Sequence, residues 1–388
     1  MATTHENRIG LSEFKNEFRN NEIIHFNNAG FCPISNRVSI RAAEVLTELN
    51  TLGSFVDQKY LPKLNEVRTR VATYLGAEPS EIAYFQNCGS ALSQLAFAMN
   101  FMERDTIVTL DQEYASNFYP WSEAAAQSGA KLKVVKSGPM LEVNLDALLS
   151  EIKPGVKCVA LSWVQFQTGT ILDLKAIGER CQKVGAKFVV DGIQGIGQLP
   201  ICFRDLPVDA LVGGSHKWLG SLNGQAFMAI KSEWVKTLKP ISVGAGTFNR
   251  FSNCADESAK IETSARRFEA GGLSFISLFA LGEALALQME VGVETIAAEI
   301  SRLTQILRNE LKPFESRGLA LSTPFSQVGG ITSFQLPIIA EAKFLARCQS
   351  EQVAVTKRGS FIRTSIHAFN TETEINRVLE LLEYALQE

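Results

Sequence analysis

The first pattern along the chain is an alternation of short apolar runs and amphipathic segments between residues 82 and 230. The apolar runs are rich in β-branched residues, which is typical of buried strands, and they lie at 82–85, 106–110, 132–135, 156–164, 187–190 and 210–212. Between them, segments such as 90–102 and 174–184 carry apolar residues at three- and four-residue spacing, which predicts helices. This alternation indicates an α/β fold with a mostly parallel sheet and crossover helices.

The pattern changes after about residue 272. Two long helices are predicted at 273–291 and 293–311, and a smaller α+β portion then ends in a helix at 372–386. We therefore predict three parts, which are an N-terminal arm with a helix at 11–19 (1–25), a large α/β domain (26–275) and a small C-terminal α+β domain (276–388). No linker rich in Pro and Gly separates the two domains, so this boundary rests on the change of pattern alone.

Composition narrows the class of partner. The chain of 388 residues is 46% hydrophobic and 20% charged, as in an ordinary water-soluble protein that can bury a large core. Its 38 basic and 41 acidic residues leave a net charge of -3, and they are spread without blocks. Because nucleic acids and anionic membranes require a basic surface, we expect neither as a partner and favour small molecules.

The cysteine pattern and residues 1–10 indicate the cellular compartment in which we expect the protein. Seven cysteines are scattered without a C-x-x-C pair or a histidine cluster, so we predict no disulfide framework and no metal site. Residues 1–10 are polar and show no secretory signal, which makes the cytoplasm the expected location. The most apolar stretch, at 275–287, includes Glu283 and is too short for a bilayer, so we predict a buried helix there.

Two polar side chains directly follow apolar strands of the predicted sheet. Asp191 ends the run at 187–190, and Lys217 comes shortly after the run at 210–212. Because ligands of α/β sheets bind at the carboxyl ends of strands, both side chains can face one crevice. Pyridoxal phosphate (PLP) requires such a pair, since an amine forms an imine with its aldehyde and a carboxylate keeps its pyridine nitrogen protonated. The amine, once freed by substrate, can also remove the α-proton.

The alternative interpretation is that Asp191 caps a turn and that Lys217 is a solvated surface lysine. The glycine-rich backbone on both sides of Lys217 and its place after an apolar strand weigh against it.

A second signal is the segment 85–94, which is predicted to be a strand, a short polar turn and an amphipathic helix. The first-turn amides of this helix, around Gly89 and Ser90, together with the Ser90 hydroxyl would form a phosphate site, because helix N-terminal N–H groups are unpaired and lie at the positive end of the dipole. An ordinary N-cap without a ligand is the alternative. The phosphate interpretation gains weight only with Asp191 and Lys217.

Taken together, these residues resemble the class V aminotransferase superfamily, which includes cysteine desulfurases, selenocysteine lyases, kynureninases and isopenicillin N epimerase-like proteins. The resemblance covers nearly the whole chain and is carried by the motifs at 26–30 (FNNAG), 89–90 (GS), 191–194 (DGIQ), 215–217 (SHK), 267–272 (RFEAGG) and 362–370 (IRTSIHAFN). It implies a fold type I PLP-dependent enzyme with a seven-stranded type of sheet in the large domain. It also implies a homodimer, because the family builds its site across a two-fold interface.

The resemblance implies four roles around the cofactor ring. Lys217 would be the Schiff-base lysine, Asp191 would bind the pyridine nitrogen and Gln194 would hydrogen-bond the ring hydroxyl. Tyr114 takes the place of the ring-stacking aromatic, which is usually a histidine in desulfurases. A tyrosine can stack equally well, but it is not an imidazole acid near neutral pH.

The resemblance also implies how the phosphate is held. Gly89, Ser90 and His216 would bind it, and Gly271 and Gly272 would lie near the phosphate of the neighbouring subunit. An ordinary loop turn is the alternative for the two glycines.

Arg363 matches the arginine that binds the substrate carboxylate, a task that suits its planar fork of donors. The segment 27–30, with Asn28, would line the substrate pocket. An α-amino acid substrate follows from Arg363, and a structural salt bridge is the competing interpretation of that residue.

The chain departs from the desulfurase pattern in three places. Desulfurases carry a nucleophilic cysteine on a loop shortly before the carboxylate-binding arginine, and here the segment 353–363 has none. We predict that Cys348, which precedes this segment, is a buried helix residue. Gly272 stands where many desulfurases have a threonine, and the run 162–169 looks more like kynureninases and epimerase-like proteins.

These departures favour a lyase reaction, either C–S cleavage or another β-elimination, without the persulfide cysteine. An aminotransferase or an amino-acid epimerase is the alternative within the family. A non-catalytic scaffold with the same fold is an alternative of another class, and a dehydrogenase is disfavoured because no G-x-G-x-x-G turn follows the first strand. The side chain of the substrate is not predicted, although Arg266 or Arg267 would suit an acidic one.

Overall fold

The computed structural model describes residues 9–18, 22–248, 258–322 and 328–387. Two sequence predictions fall partly outside these ranges, namely the N-terminal arm and the end of the helix at 11–19.

The helices of the described residues include the long ones predicted from the sequence. In chain order they are α1 (Leu11–Asn16), α2 (Asn36–Leu52), α3 (Val56–Tyr60), α4 (Leu64–Leu75), α5 (Cys88–Ala98), α6 (Ala115–Ser128), α7 (Leu145–Glu151), α8 (Leu174–Val184), α9 (Ser232–Val235), α10 (Phe275–Val291), α11 (Val293–Leu311), α12 (Ile338–Ser350) and α13 (Glu372–Ala385). The bounds of α8 and α11 agree with the prediction, whereas α5 begins two residues earlier than predicted. Cys348 lies buried in α12, as predicted.

The strands form one large sheet and two small ones. In chain order they are β1 (Ile24–His25), β2 (Ile82–Phe85), β3 (Thr106–Leu110), β4 (Lys131–Val135), β5 (Val156–Ser162), β6 (Lys187–Asp191), β7 (Ala210–Gly214), β8 (Ala226–Ile230), β9 (Ala320–Leu321), β10 (Ile331–Gln335), β11 (Val353–Ala354), β12 (Thr356–Arg358) and β13 (Phe361–Ser365).

The large sheet has seven strands in the order β2-β8-β7-β6-β5-β3-β4. Every neighbouring pair from β4 to β7 is parallel, and β8 is antiparallel to both β7 and β2. The predicted α/β fold with a mostly parallel sheet is therefore confirmed. The run that forms β8 was not singled out as a strand from the sequence.

Helices cover both faces of this sheet. Because successive side chains of a strand point to opposite faces, Val190 of β6 packs into a core with α4, α8 and α10, and Val189 packs on the other side with α5 and α6. Asp191 follows in the same alternation, which turns it to the side covered by α5. The order of the strands thus brings the end of β6 close to the N-terminus of α5.

The C-terminal part contains a four-stranded antiparallel sheet in the order β12-β13-β10-β9. It packs against α11, α12 and α13 around a separate apolar cluster. β1 joins this part by pairing with β11, so residues near the start of the chain reach the C-terminal sheet. The domain boundary at 275 and 276 stays a prediction.

Helix α10 is largely buried, as the apolar pattern predicts. It packs mainly on α2 and α4. Among the described helices no single one is long and apolar enough to cross a membrane, and α10 passes such a test only together with the segment 293–317, from which it is bent by 80°.

Helix α8 packs so closely against Pro207 that position 178 has no room for a side chain. A Cβ atom on Gly178 would lie 2.2 Å from the carbonyl oxygen of Pro207 and 2.6 Å from its Cγ. A Cβ atom on Gly282 in α10 would instead meet no atom nearer than 3.4 Å. The two helical glycines therefore differ in their packing, although both are buried.

We expect Gly178→Ala to lower the free energy of unfolding by about 1–3 kcal/mol, because a backbone oxygen has to move. Alanine favours a helix by about 1 kcal/mol over glycine, so the matched change Gly282→Ala should leave stability unchanged or raise it slightly. Urea unfolding of the two variants measures this difference. A Gly178→Ala protein as stable as the parent would contradict the close approach of α8 to Pro207.

Candidate active site

The carboxyl ends of β6 and β7 open into a cavity of about 220 Å³. The two strands are parallel neighbours, with Asp191 beside Val212 in the register. Of the residues and segments singled out from the sequence, those that line the cavity are Ala29 and Gly30 of the segment 27–30, Gly89, Tyr114, Asp191, Gln194, His216, Lys217 and Arg363. Asp191 and Lys217, which we expected to face one crevice, therefore line one cavity. Residues from the start and the end of the chain line it as well.

Lys217 lies in the turn after β7 and is only 9% exposed. Burial lowers the pKa of its amine to about 8, and the nearby Arg363 and Arg358 also lower it, whereas the carboxylate of Asp191 raises it. Its Nζ lies 5.6 Å from the centre of the Tyr114 ring. Roughly a tenth of Lys217 is consequently a neutral amine at pH 7, far more than for an ordinary lysine, and this is the form that acts as a nucleophile or a base.

Asp191 is the last residue of β6 and is 2% exposed. Burial raises the pKa of its carboxyl group, and an N–H donated by Ile193 at 3.0 Å together with the charge of Lys217 lowers it. No ion pair joins Asp191 to a cation of the described residues. This buried carboxylate is thus available to a cationic donor inside the cavity, such as a protonated pyridine nitrogen.

Gln194 has its amide held in one orientation. Its Nε2 donates to the carbonyl of Ala29 at 2.9 Å, and its Oε1 accepts a hydrogen bond from the indole of Trp218 at 2.7 Å. One hydrogen of Nε2 is left for a further acceptor. Trp218 was not singled out from the sequence, although it directly follows Lys217 and is fully buried.

The side chain of Asn87 caps the N-terminus of α5. The Asn87 side chain accepts hydrogen bonds from the Ser90 N–H at 2.8 Å and from the Ser90 hydroxyl at 3.1 Å. Gly89 lines the main cavity, whereas Ser90 lines a second cavity of about 340 Å³ with Gly272. The capping that was weighed as the alternative is therefore present, and it engages the N–H of Ser90 rather than that of Gly89, which lines the main cavity.

His216 and Gly272 have properties that bear on phosphate binding. Burial, and the charge of Lys217, lower the pKa of His216 to about 4, so the imidazole is neutral near pH 7. Its ring centre lies 5.9 Å from that of Phe31. Gly272 adopts the left-handed backbone conformation with a φ of 44°, which disfavours a side chain there.

Tyr114 stands at the N-cap of α6 with a ring that is 42% exposed. The Phe166 ring meets it edge-on, with ring centres 5.3 Å apart. The Tyr114 ring therefore covers one side of the cavity above Lys217 and is itself supported by Phe166.

Arg363 lies on β13 and is 1% exposed. Its Nη1 donates to the carbonyl of Phe166 at 2.8 Å and its Nη2 donates to Oδ1 of Asn27 at 3.1 Å, whereas its Nε is buried without a partner. Burial lowers the pKa of this guanidinium to about 10. Within the described parts of the chain no carboxylate forms an ion pair with Arg363, so the structural salt bridge gains no support.

Asn28 lies outside the cavity lining. It is fully buried, and its Nδ2 donates to the carbonyl of Ser365 at 2.8 Å and to that of His25 at 3.2 Å. The neighbouring Asn27 instead reaches Arg363. Neither Arg266 nor Arg267 lines the cavity, but Arg358 does, and sequence reasoning missed it.

Comparison with known proteins places the chain in a family. A family model described as Aminotransferase class-V matches residues 24–378, and the chain belongs to this family. A probable cysteine desulfurase of Pyrococcus abyssi is 27% identical over 357 residues, which is 88% of this chain and 86% of that protein. Isopenicillin N epimerase of Amycolatopsis lactamdurans is 28% identical over 378 residues, which is 92% of this chain and 93% of that protein.

Solved structures share the fold. The apo structure of a cysteine desulfurase from Thermococcus onnurineus gives a TM-score of 0.88 at 23% identity and covers 99% of each chain. The complex of the cystine C–S lyase C-DES with its reaction product cysteine persulfide gives 0.87 at 20% identity, over 94% of this chain and 98% of that chain. The expected PLP-dependent fold is therefore confirmed.

The cavity fits the cofactor of this family. A buried carboxylate without a cation, a buried amine with a lowered pKa and an uncapped amide at a helix start lie around one space, and these are the groups that a phosphorylated pyridine aldehyde requires. A variant of C-DES has glycine covalently linked to its PLP cofactor. The chain is a PLP-dependent enzyme, a lyase or a transferase that resembles cysteine desulfurases.

We expect the amine of Lys217 in the cofactor-free protein to react with acetic anhydride with a midpoint near pH 8, because only the neutral amine reacts. Asp191→Asn should move this midpoint to lower pH, since the Asp191 carboxylate raises the pKa of Lys217. Asp205→Asn, at an exposed carboxylate, is the matched control and should leave it unchanged. Peptide mass spectrometry over a pH series gives the midpoint, and a value near the ordinary lysine pKa of about 10.4 would rule out a buried amine.

Proposed function

We propose that the enzyme is a lyase that removes a β-substituent, above all a sulfur group, from a small α-amino acid. The observation that carries this proposal is that Lys217 and Arg363 line the same cavity. The hairpin of β12 and β13, which carries Arg363, contains no cysteine. A base and a carboxylate clamp are sufficient for elimination. A transfer of sulfur to the enzyme would need a thiolate as well.

Five side chains and one backbone amide of the main cavity would hold the cofactor. Lys217 would bind it covalently, Asp191 would hold the pyridine nitrogen protonated and Gln194 would donate to the ring hydroxyl through its remaining Nε2 hydrogen. Tyr114 would cover the ring. The Gly89 amide and the neutral imidazole of His216 face the phosphate end, and when bound the cofactor supplies an electron sink for the negative charge that develops at Cα.

Ser90 and Gly272 would act at the phosphate from the second cavity. They line it together, and Gly272 offers only its backbone amide there. We propose that Gly272 serves the phosphate of a partner subunit in a homodimer, and that Ser90 contributes its hydroxyl. The cytoplasm remains the proposed location.

Arg363 would bind the substrate carboxylate. Its Nε has no partner in the protein, and the other two nitrogens are fixed by Phe166 and Asn27. A carboxylate that pairs with this guanidinium removes the cost of a buried unpaired charge. Ala29 and Gly30 line the pocket at this end, Asn27 holds Arg363, and Asn28 would support the segment through the backbone of β13.

Lys217 would remove the proton at Cα. Its pKa of about 8 leaves enough neutral amine near pH 7 for this task, and the proton then resides on Nζ. The bond between Cβ and sulfur breaks with the electron pair going to sulfur, and the protonated Lys217 amine can deliver a proton to the departing thiolate. The aminoacrylate that leaves takes up water to give pyruvate and ammonia, so the overall reaction consumes one water and needs no oxidant.

The cysteines of the described chain support elimination over desulfuration. Cys88 is the cysteine that lines the cavity, and burial raises its thiol pKa well above the ordinary value, with the charge of Asp191 adding to the effect. Burial also raises the pKa of Cys348, which lies in α12, to about 12. Neither thiol is a thiolate near pH 7. The cystine C–S lyase C-DES shares the fold, and its reaction product is cysteine persulfide.

We expect the PLP-loaded enzyme to convert L-cysteine into equal amounts of pyruvate, ammonia and sulfide, or L-cystine into equal amounts of pyruvate, ammonia and cysteine persulfide. Lys217→Ala should lower this rate by roughly 100- to 10 000-fold, because the general base is lost. Lys343→Ala, at an exposed lysine, is the control. Alanine as product would indicate desulfuration, a keto acid with its sulfur retained would indicate transamination, and the D-enantiomer would indicate epimerisation. A protein that converts none of them and binds no PLP would be a scaffold.

We expect Arg363→Ala to lower kcat/KM for the amino acid by roughly 100-fold, about 3 kcal/mol, with most of the change in KM. Arg363→Lys should recover little, because an ammonium group lacks the planar fork. Arg347→Ala, at an exposed arginine of α12, should have no effect. Steady-state kinetics of the three variants measure kcat and KM. An unaltered KM in Arg363→Ala would show that Arg363 does not bind the substrate carboxylate.

A further inference from the structure

Glu113 is a buried carboxylate that the proposed reaction does not use. It directly precedes Tyr114 and is 8% exposed. Four hydrogen bonds reach its two oxygens, from the N–H of Ser162 at 2.9 Å, the hydroxyl of Ser162 at 2.5 Å, Nδ2 of Asn117 at 2.7 Å and Nε2 of Gln165 at 3.1 Å. Four donors on one carboxylate, with no ion pair to a cation among the described residues, make an unusually complete site for a negative charge.

The donors belong to three different segments. Asn117 lies in the first turn of α6, Ser162 ends β5, and Gln165 lies in the loop that follows β5. Asn117 is held in turn by the indole of Trp121, which donates to its Oδ1 at 3.2 Å. One carboxylate therefore fastens the start of α6 to the end of β5 and to the loop beyond it.

Each segment leads to a different side of the active site. On the α6 side, Asn117 donates its backbone N–H to the carbonyl of Tyr114 at 2.7 Å, which fixes the residue whose ring covers Lys217. On the loop side, Gln165 is followed by Phe166, whose carbonyl accepts from Nη1 of Arg363 at 2.8 Å.

The end of β5 leads to Asp191. Ser162 stands beside Asp191 in the register of β5 and β6, and the next residue, Trp163, donates its N–H to the carbonyl of Asp191 at 2.9 Å. The Glu113 carboxylate is thus two contacts from the residues that would hold the ring, the pyridine nitrogen and the substrate carboxylate.

We propose that Glu113 is a positioning residue that sets the place of the Tyr114 ring and, through Gln165 and Phe166, the place of the Arg363 guanidinium. The inference rests on the roles proposed above for Tyr114 and Arg363. Glu113 itself touches neither the cofactor nor the substrate, and it does not line the cavity.

The donors around position 113 favour a negatively charged side chain there. All four groups on the three neighbouring residues donate, so a carboxylate accepts from each of them, whereas an amide would turn one N–H group toward donors and lose at least one acceptor. Burial raises the pKa of Glu113, and the hydrogen bonds from Ser162, Asn117 and Gln165 oppose that rise. An uncharged residue of the same shape therefore disturbs the three segments at their meeting point.

The test is Glu113→Gln in the full-length enzyme loaded with PLP. A displaced Arg363 should raise KM for the amino acid by roughly 10- to 100-fold, with a smaller change in kcat. A displaced Tyr114 should alter the visible circular dichroism of the bound cofactor before any substrate is added. Glu299→Gln is the matched control, since Glu299 has the same exposure of 8% but pairs with Lys15 and Arg302. It should change neither KM nor the dichroism.

Two milder variants keep the inference testable if Glu113→Gln fails to fold. Gln165→Ala removes only the link toward Phe166, so it should raise KM and leave the dichroism unchanged. Asn117→Ala removes the side-chain bond by which Glu113 holds the start of α6, together with the bond from Trp121, and keeps the link toward Phe166, so it should change the dichroism more than KM. Glu113 variants whose KM and dichroism both match the parent would overturn the inference.

Arg363→Ala serves as the reference that separates this inference from the proposed function. If Arg363→Ala raises KM and Glu113→Gln does not, the positioning role is wrong while the carboxylate clamp stands. If Arg363→Ala leaves KM unchanged, the clamp itself is wrong, and the positioning role that depends on it falls with it.

Discussion

The structure depends on the burial of three charged groups, Lys217, Asp191 and Arg363, at the carboxyl edge of the large sheet without ion pairs among the described residues. Removing a charge from water costs several kcal/mol unless a partner compensates it. The protein compensates partly, with the Ile193 N–H on Asp191 and two acceptors on Arg363, and it lets burial lower the pKa of Lys217. A PLP molecule and an amino-acid carboxylate would supply the missing partners.

Much of this arrangement could be predicted from the sequence, because it follows from strand order. An apolar run followed by Asp191 and another followed by Lys217 indicate two adjacent parallel strands, and their ends must then meet at one edge. The strand β8 was harder to predict, because all five of its residues are buried and no period distinguishes it from a short helix. Asn27 rather than Asn28 contacts Arg363, because side chains alternate in direction along an extended chain, which a motif does not resolve.

The remaining site residues depend on contacts that no local pattern reveals. Arg363 and Asn27 are 336 residues apart, and Glu113 meets Ser162 from 49 residues away. Trp218 is adjacent to Lys217 in the chain, yet its role becomes visible only when Gln194 lies against it. Such contacts follow from how β1 joins the C-terminal sheet and how the loop after β5 folds back. The reaction is a further step away, since elimination, transamination and epimerisation all begin from the same base and the same clamp.

The most direct test of the central claim is reduction of the PLP-loaded protein with sodium borohydride, followed by digestion and peptide mass spectrometry. We expect a phosphopyridoxyl group to become fixed to the peptide that contains Lys217, in an amount close to one per chain, and Lys217→Ala to carry none. A phosphopyridoxyl group on another lysine, or none on any peptide, would contradict the account, because the buried amine between Asp191 and Tyr114 would then not be the attachment point.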